Sequence, residues 1–262
     1  MNYMIRKIVF CFFSTVILGN LTGFSQSTNT PIIHTGTVEY EKRTNIDRIL
    51  DSFYTKGVGG GISEFAKSYK QNGPKIKVSN YHLSFDTLRA FYQLISPALT
   101  GAHFLDKLAE DNLVETNFRE RTSLSRKQVF ENIYTVKDSL PVVIWKITDE
   151  YRDIAGFQCR RANGLVMDSI YVVAFYSDQI VVRGGPESFW GLPGMIMGVV
   201  LPHEYTTWYA TKVYLEPKSF MNSGLKDNKT IRRSDLERLL AEMDIIKNAG
   251  YYGQYLFRRI LL

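Results

Sequence analysis

Cysteine is scarce in this chain: of 262 residues only Cys11 and Cys159 are cysteines. Cys11 lies inside an apolar N-terminal run and is followed by Phe12 and Phe13, not by the polar start that lipidation of a mature N-terminus would require. With that run removed, Cys159 stands alone, so no intramolecular disulfide is expected and the fold must rest on its core. Histidine is nearly as sparse. His34, His82, His103 and His203 are scattered without the close spacing of a metal site, and no metal or cofactor is expected. No apolar run approaches the roughly 20 residues that a membrane-spanning helix needs. The net charge of +6 is not gathered into a basic block, which argues against nucleic acid as a partner. No period of 20–50 residues recurs, which excludes solenoids and propellers.

What the sequence does contain begins with Arg6 and Lys7, the apolar stretch Ile8 to Leu18, and the small residues Gly23 and Ser25. This is the layout of a secretory signal peptide over residues 1–25, with cleavage expected near Ser25/Gln26 and a periplasmic or secreted location. Residues 26–34 are expected to be a flexible mature N-terminus and residues 35–262 one domain. Apolar residues at 45% and charged residues at 22% fit a globular chain.

Hydrophobic period separates strands from helices. Val38 and Tyr40 alternate with Glu39 and Glu41 as in a half-buried strand. Ile46, Ile49, Leu50 and Phe53 recur at helical spacing behind Asn45, a good N-cap, and a second short helix follows Gly57–Gly61, so a helical insertion is expected at about 45–70. Strands are expected at 76–85, 89–95, 112–118, 129–137, 143–147, 157–162, 170–176, 180–182 and 208–215. Ile76 and Val78 share one parity and Tyr81, Leu83 and Phe85 the other, which predicts a β-bulge near Ser79-Asn80. Residues 152–156 read as a hairpin loop and Asn163-Gly164 as the next turn. The segment 97–110 reads as a loop with one helical turn. A capping box of Ser234 and Glu237 before Leu236, Leu239, Leu240 and Met243 predicts a helix at about 235–247. The fold class is therefore mainly β (α+β): a curled antiparallel sheet or half-barrel with helices packed on one face.

No catalytic constellation emerges. The run Gly57 to Ile62 lacks the third glycine of a dinucleotide fingerprint, Thr207 stands where a zincin needs its second histidine after His203-Glu204, and Ser188 misses the nucleophile-elbow spacing. Arg119, Arg121, Arg126 and Lys127, like Arg232 and Arg233, read as solvated faces. The unusual stretch is 183–197. Gly184, Gly185, Pro186, Gly191, Pro193 and Gly194 dictate its backbone, while Phe189, Trp190, Leu192 and Met195 are interleaved with them. These four apolar residues are candidate contacts on a lip, with Trp190 the one expected to be exposed and Phe189 and Leu192 expected beneath the loop.

The combination resembles the GLPGLI family of exported proteins of Gram-negative envelopes, whose motif is here Gly191-Leu192-Pro193-Gly194-Met195-Ile196. The likeness extends through Gly185-Pro186-Glu187-Ser188-Phe189, the strand bearing Trp145, and Ile154 to Ala162, or about 112–215 in all. It implies a β-rich, non-enzymatic protein with no catalytic residue to carry over. Some members are encoded beside TonB-linked outer-membrane transporters, so the expected partners are an apolar small molecule or lipid, or such a transporter. A hydrolase or thiol enzyme using Cys159 or His203 is the alternative.

Overall fold

Alternation at the two-residue period dominates the chain, and the described residues of the computed structural model form twelve strands and five α-helices. The structure describes residues 32–55, 60–96, 112–215, 225 and 230–262; the expected signal peptide and the segment 97–110 lie outside them. The strands are β1 (Gly36–Asn45), β2 (Ile76–Phe85), β3 (Arg89–Ser96), β4 (Leu113–Asn117), β5 (Thr122–Val129), β6 (Asn132–Ser139), β7 (Lys146–Ile154), β8 (Phe157–Val166), β9 (Ile170–Ser177), β10 (Met195–Leu201), β11 (Thr206–Tyr214) and β12 (Thr230–Arg232). They form one open, curled sheet in the order β12-β6-β5-β4-β3-β2-β1-β11-β10-β9-β8-β7. Every pairing is antiparallel except β12 on β6. The fold is mainly β, as expected, and the described residues belong to one compact unit.

The helices are α1 (Ile46–Thr55), α2 (Gly60–Asn72), α3 (Arg233–Glu242), α4 (Asp244–Lys247) and α5 (Gly250–Leu261). The Asn45 side chain accepts from the Arg48 N–H at 3.0 Å, the N-cap expected for α1. Ile46, Ile49, Leu50 and Phe53 of α1 pack with Leu236 and Leu240 of α3, with Tyr252, Leu256 and Ile260 of α5, and with Val129 and Val136 of the sheet. A second apolar cluster fills the curl of the sheet, from Val38, Tyr40 and Leu83 to Val172, Val199 and Trp208. Full burial of each large side chain contributes about 1.5–3 kcal/mol, so the two clusters carry the fold without a cross-link.

Several boundaries differ from expectation, each for a local reason. β8 runs straight through Asn163-Gly164, and the chain turns at Met167 and Asp168, both at positive φ. Gly164 is there for close approach: a Cβ would sit 2.9 Å from Val143 Cγ1 and 3.0 Å from Trp145 Cε3. The preceding hairpin closes on two residues instead of five, Ala155 and Gly156 at φ 52° and 83°, and β7 starts at Lys146, leaving Val143 to Trp145 outside it. Ile180 makes a single parallel bridge to Ile33 in place of a strand. The bulge falls where expected, between Asn80 and Tyr81, but the extra residue is Ile95 of β3. β2 keeps its parity against β1 throughout, so Lys77 and Ser79 point inward and Ile76 is exposed. β5, with its Ser-Leu-Ser-Arg-Lys-Gln core, was not anticipated, and the expected strand at 129–137 spans the last residue of β5, the turn at 130–131 and most of β6. The C-terminal helix breaks at Met243, which is extended at ψ 127°, and α5 follows unannounced. α3 begins at Arg233, so Ser234 lies inside it, and Asp235 rather than Glu237 accepts from the N-cap N–H at 3.4 Å.

Candidate functional site

The glycine-rich loop between β9 and β10 folds back on itself through backbone bonds. Gly191 donates to Arg183 at 3.0 Å, Ile196 to Gly184 at 2.8 Å, and Phe189 to Pro186 at 3.1 Å. The Arg183 guanidinium donates to the Gly191 and Leu192 carbonyls at 2.6 and 3.3 Å. Gly191 sits at φ +100°, and a Cβ on Gly194 would come within 2.1 Å of the Ser177 carbonyl oxygen, so both positions exclude other residues. The loop's apolar side chains go into the core. Phe189, Leu192 and Met195 are buried, with Phe189 packing edge-on against Trp208 at 6.0 Å. Trp190 is half-buried, but its ring N–H is engaged: it donates to the Pro141 carbonyl at 2.6 Å, while Trp145 donates to the Trp190 carbonyl at 3.1 Å. The two indoles tie the loop to the 140–145 segment.

What the loop presents inward is Glu187. Its backbone is in the left-handed region at φ 54°, where a non-glycine residue is strained by about 1–3 kcal/mol, and its side chain is buried. Lys42 donates to Oε1 at 3.0 Å, and Asn112 to Oε2 at 3.0 Å. Lys42 comes from β1, whose inward row runs Val38, Tyr40, Lys42, Thr44. The same change from apolar to polar occurs on the neighbours. Across β2 the inward row is Phe85, Leu83, Tyr81, Ser79, Lys77; across β11 it is Ala210, Trp208, Thr206; and β5 contributes Ser123, Ser125 and Lys127. The register aligns them, with Lys42 opposite Ser79 on one side and Trp208 on the other. From α5, Arg259 donates to Thr206 Oγ1 at 3.2 Å and Thr44 Oγ1 at 3.4 Å. The interior is therefore a polar, cation-rich band beside the apolar cluster.

Electrostatics follow from that burial. Desolvation lowers Lys42 to about 8, resisted by Glu187 and helped by Arg259 and Lys77, and the Lys42 ammonium lies 4.9 Å from the Trp208 ring centre. Lys127 is also lowered by burial to about 8, with Glu187 opposing and Arg233 and Arg259 adding to the shift. Burial pushes the Glu187 carboxyl up, but Lys42, Lys127 and the hydrogen bonds from Asn112 and Lys42 outweigh it and hold it below the usual range. Asn112 Oδ1 is buried without a partner. The basic residues expected to be solvated thus divide: Arg121 and Arg232 are exposed, whereas Lys127 is buried because β5 turns its Ser-x-Ser-x-Lys row inward.

A groove of about 490 Å³ opens beside this band, between the 140–143 segment, Phe189, and Phe257, Leu261 and Leu262 of the C-terminal helix region, with Asp138, Ser139, Arg233 and Glu237 at its polar end. At that end a smaller cavity of about 30 Å³ leads inward to Ser123, Ser125 and Lys127. Val142 lines the groove and is exposed, as is nearby Ile144. The other candidates lie elsewhere. Cys159 is buried on β8, and burial raises its thiol to about 12. His203 is exposed in the 3-10 turn Pro202–Glu204, and Glu204 beside it is buried against Arg258 at 2.7 Å. Among the described residues no group of three or more His, Cys, Asp or Glu is placed to hold a metal. Lys42 could have been found by continuing the parity of β1; Lys127 lies on β5, which the sequence did not announce, and nothing pointed to Glu187 beyond its place in the loop motif.

Residues 165–198, from the end of β8 through the loop into β10, match the profile of a family described as a protein of unknown function (Porph_ging). The arrangement is that of a curled β-sheet protein with a buried charge cluster. Among solved structures the chain is similar to PNGF-II in two crystal forms. The P21 form aligns with a TM-score of 0.50 at 14% identity over 80% of this chain and 33% of that one. The C2 form aligns with a TM-score of 0.48 at 17% identity over 76% and 30%. The chain spans about a third of the length of PNGF-II, and at these identities the likeness is one of fold. No curated protein matches the sequence.

Proposed function

We propose that this protein is an exported, non-enzymatic binding module of the cell envelope, and that its groove holds a small apolar ligand. The observation that carries the reading is the groove of about 490 Å³, walled on one side by Leu140 to Val143 and on the other by Phe257 and Leu261. The N-terminal signal-like segment and the resemblance to the GLPGLI family support the location. Against the thiol alternative stands the burial of Cys159, which raises its thiol to about 12, with Asp153 and Asp178 adding to the rise. A second reading, an outer-membrane transporter as partner, is favoured by Val142 and Ile144, exposed at 91% and 87% on a segment outside any strand.

Titration with N-phenyl-1-naphthylamine, an uncharged apolar probe, tests the ligand reading. Saturable binding is expected, weakened about tenfold by Val142→Asp at an unchanged melting temperature, because Val142 adds little to the core. A wild-type protein without saturable binding would remove the small-ligand reading. Photo-crosslinking from position 144 in intact envelopes then tests the partner reading.

A further inference from the structure

The buried band holds more cationic charge than its one central carboxylate answers. Glu187 is already engaged by Lys42 and Asn112. Arg259, 8% exposed, donates only to two threonine hydroxyls. Lys127, 7% exposed, makes no hydrogen bond or ion pair with a described residue. Its counter-charge is Glu187, which acts on it from beyond hydrogen-bond reach and is shared with Lys42, so this buried ammonium is under-compensated unless something anionic completes it. Lys127 also lines the inner cavity, whose other polar residues are Ser123, Ser125, Asp138, Ser139, Ser188 and Arg233. Two carboxylates border the site. Asp138 accepts from the Ser139 N–H at 2.8 Å, and Glu237, at the groove's polar end, is paired with Arg233 Nε at 3.0 Å. Arg233 retains its remaining N–H donors.

The size of the inner cavity limits what enters it. At about 30 Å³ it has room for the oxygens of one head group and not for a ligand body. The same cavity shares Asp138, Ser139, Pro141, Ser188, Arg233 and Leu261 with the larger apolar-walled groove, so the two form one path from a cationic end to an apolar wall. The geometry points to an anionic amphiphile as the ligand: a single carboxylate or phosphate head on Lys127, with Arg233 and the serine hydroxyls around it, and an aliphatic tail along the groove. This deepens the binding-module reading and rests on it.

The test compares wild-type protein with Lys127→Met, which keeps the aliphatic stem and removes the charge. Dodecanoate and dodecyl phosphate, each below its micelle concentration, are titrated calorimetrically beside dodecanol, acetate, inorganic phosphate and the neutral naphthylamine probe. Wild-type protein is expected to bind at least one of the two anionic amphiphiles, the tighter one identifying the head. Lys127→Met should weaken that binding about tenfold or more while leaving the neutral probe's affinity and the melting temperature unchanged or higher. Equal dodecanoate and dodecyl phosphate affinities in wild type and variant would overturn the proposal. So would acetate or inorganic phosphate binding as tightly as the amphiphiles, or dodecanol matching dodecanoate. Should Lys127→Met lower the melting temperature, Lys127→Gln and Ser125→Ala serve in its place, with the same requirement that anion affinity fall and neutral-probe affinity hold. Wild-type protein that binds the neutral probe but neither anionic amphiphile sinks the anion site alone; failure to bind the neutral probe sinks the groove reading beneath it.

Discussion

Glu187 concentrates the tension of this structure in one residue: a left-handed backbone, a buried carboxylate, and cations gathered around it. Such a conformation persists only where surrounding contacts over-determine it, here the bonds to Lys42 and Asn112 and the closed loop on either side. Glu187→Gln keeps the shape and removes the charge, leaving Lys42 buried without its partner. Urea unfolding should show a loss of about 3–5 kcal/mol. A loss under about 1 kcal/mol would mean that the cations are compensated by something other than this carboxylate. The sequence singled out Trp190 in the same loop as the exposed contact, because an indole is at ease half in water; the structure leaves it half-buried. Its ring N–H, however, is spent on Pro141 in holding the loop to its neighbour. The backbone-dictating role of Gly191 and Gly194 was legible, since few physical reasons place glycines so densely. Glu187 was not, because a carboxylate between proline and serine looks the same whether it faces water or two buried lysines.

At the level of elements, period was a good guide where apolar residues carried it and a poor one where polar residues faced inward. β1, β9 and α1 were read correctly from Val38 and Tyr40, from Ile170 to Tyr176, and from Ile46 to Phe53. β5 was missed because its inward row is Ser123, Ser125 and Lys127, a pattern that suits only a polar interior. α5 was missed for another reason. Tyr252, Tyr255, Leu256, Arg259 and Ile260 do follow helical spacing, but Gly250 and Gly253 interrupt the signal and an arginine stands in the buried stripe. The structure makes α5 a principal part of the helical cluster, and Phe53 of α1 meets Tyr252 and Tyr255 edge-on at 5.2 and 5.4 Å. Leu256→Ala, at a fully buried position of α5, is therefore expected to cost about 2–5 kcal/mol in urea unfolding. Leu239→Ala in α3, which the sequence placed on the apolar stripe and the structure leaves 42% exposed, should cost under about 1 kcal/mol. Equal losses would contradict the packing described.

For the molecule as a whole, the cation-rich band makes stability depend on pH in an uncommon direction. Lys42 and Lys127 are lowered by burial to about 8 in the folded protein, facing Glu187, Arg259, Arg233 and Lys77. Between about pH 8 and the ordinary lysine value near 10.4 the unfolded chain holds more protons than the folded one, so stability rises with pH there, by at most about 1.4 kcal/mol per pH unit for each lysine. Burial also raises the hydroxyls of Tyr40, Tyr92, Tyr252 and Tyr255. Above about pH 10 the unfolded tyrosines ionise first and the trend reverses. Urea midpoints measured from pH 7 to 11 should therefore pass through a maximum on the alkaline side; a steady decline from pH 7 would contradict the burial of both lysines. The order of the sheet has a different consequence, for the route by which the chain folds. β1 to β6 are joined neighbour to neighbour, and so are β7 to β11; the two meanders meet along one seam, where β1 lies against β11. Within each meander, pairing joins strands consecutive in the chain, the longest insertion being the two helices between β1 and β2, but the seam joins residues such as Thr44 and Thr206, 162 positions apart. The largest loop closure thus falls on this seam, with the pairing of β12 on β6 the next most distant, and Lys42, itself a seam residue opposite Trp208, is the one that meets Glu187.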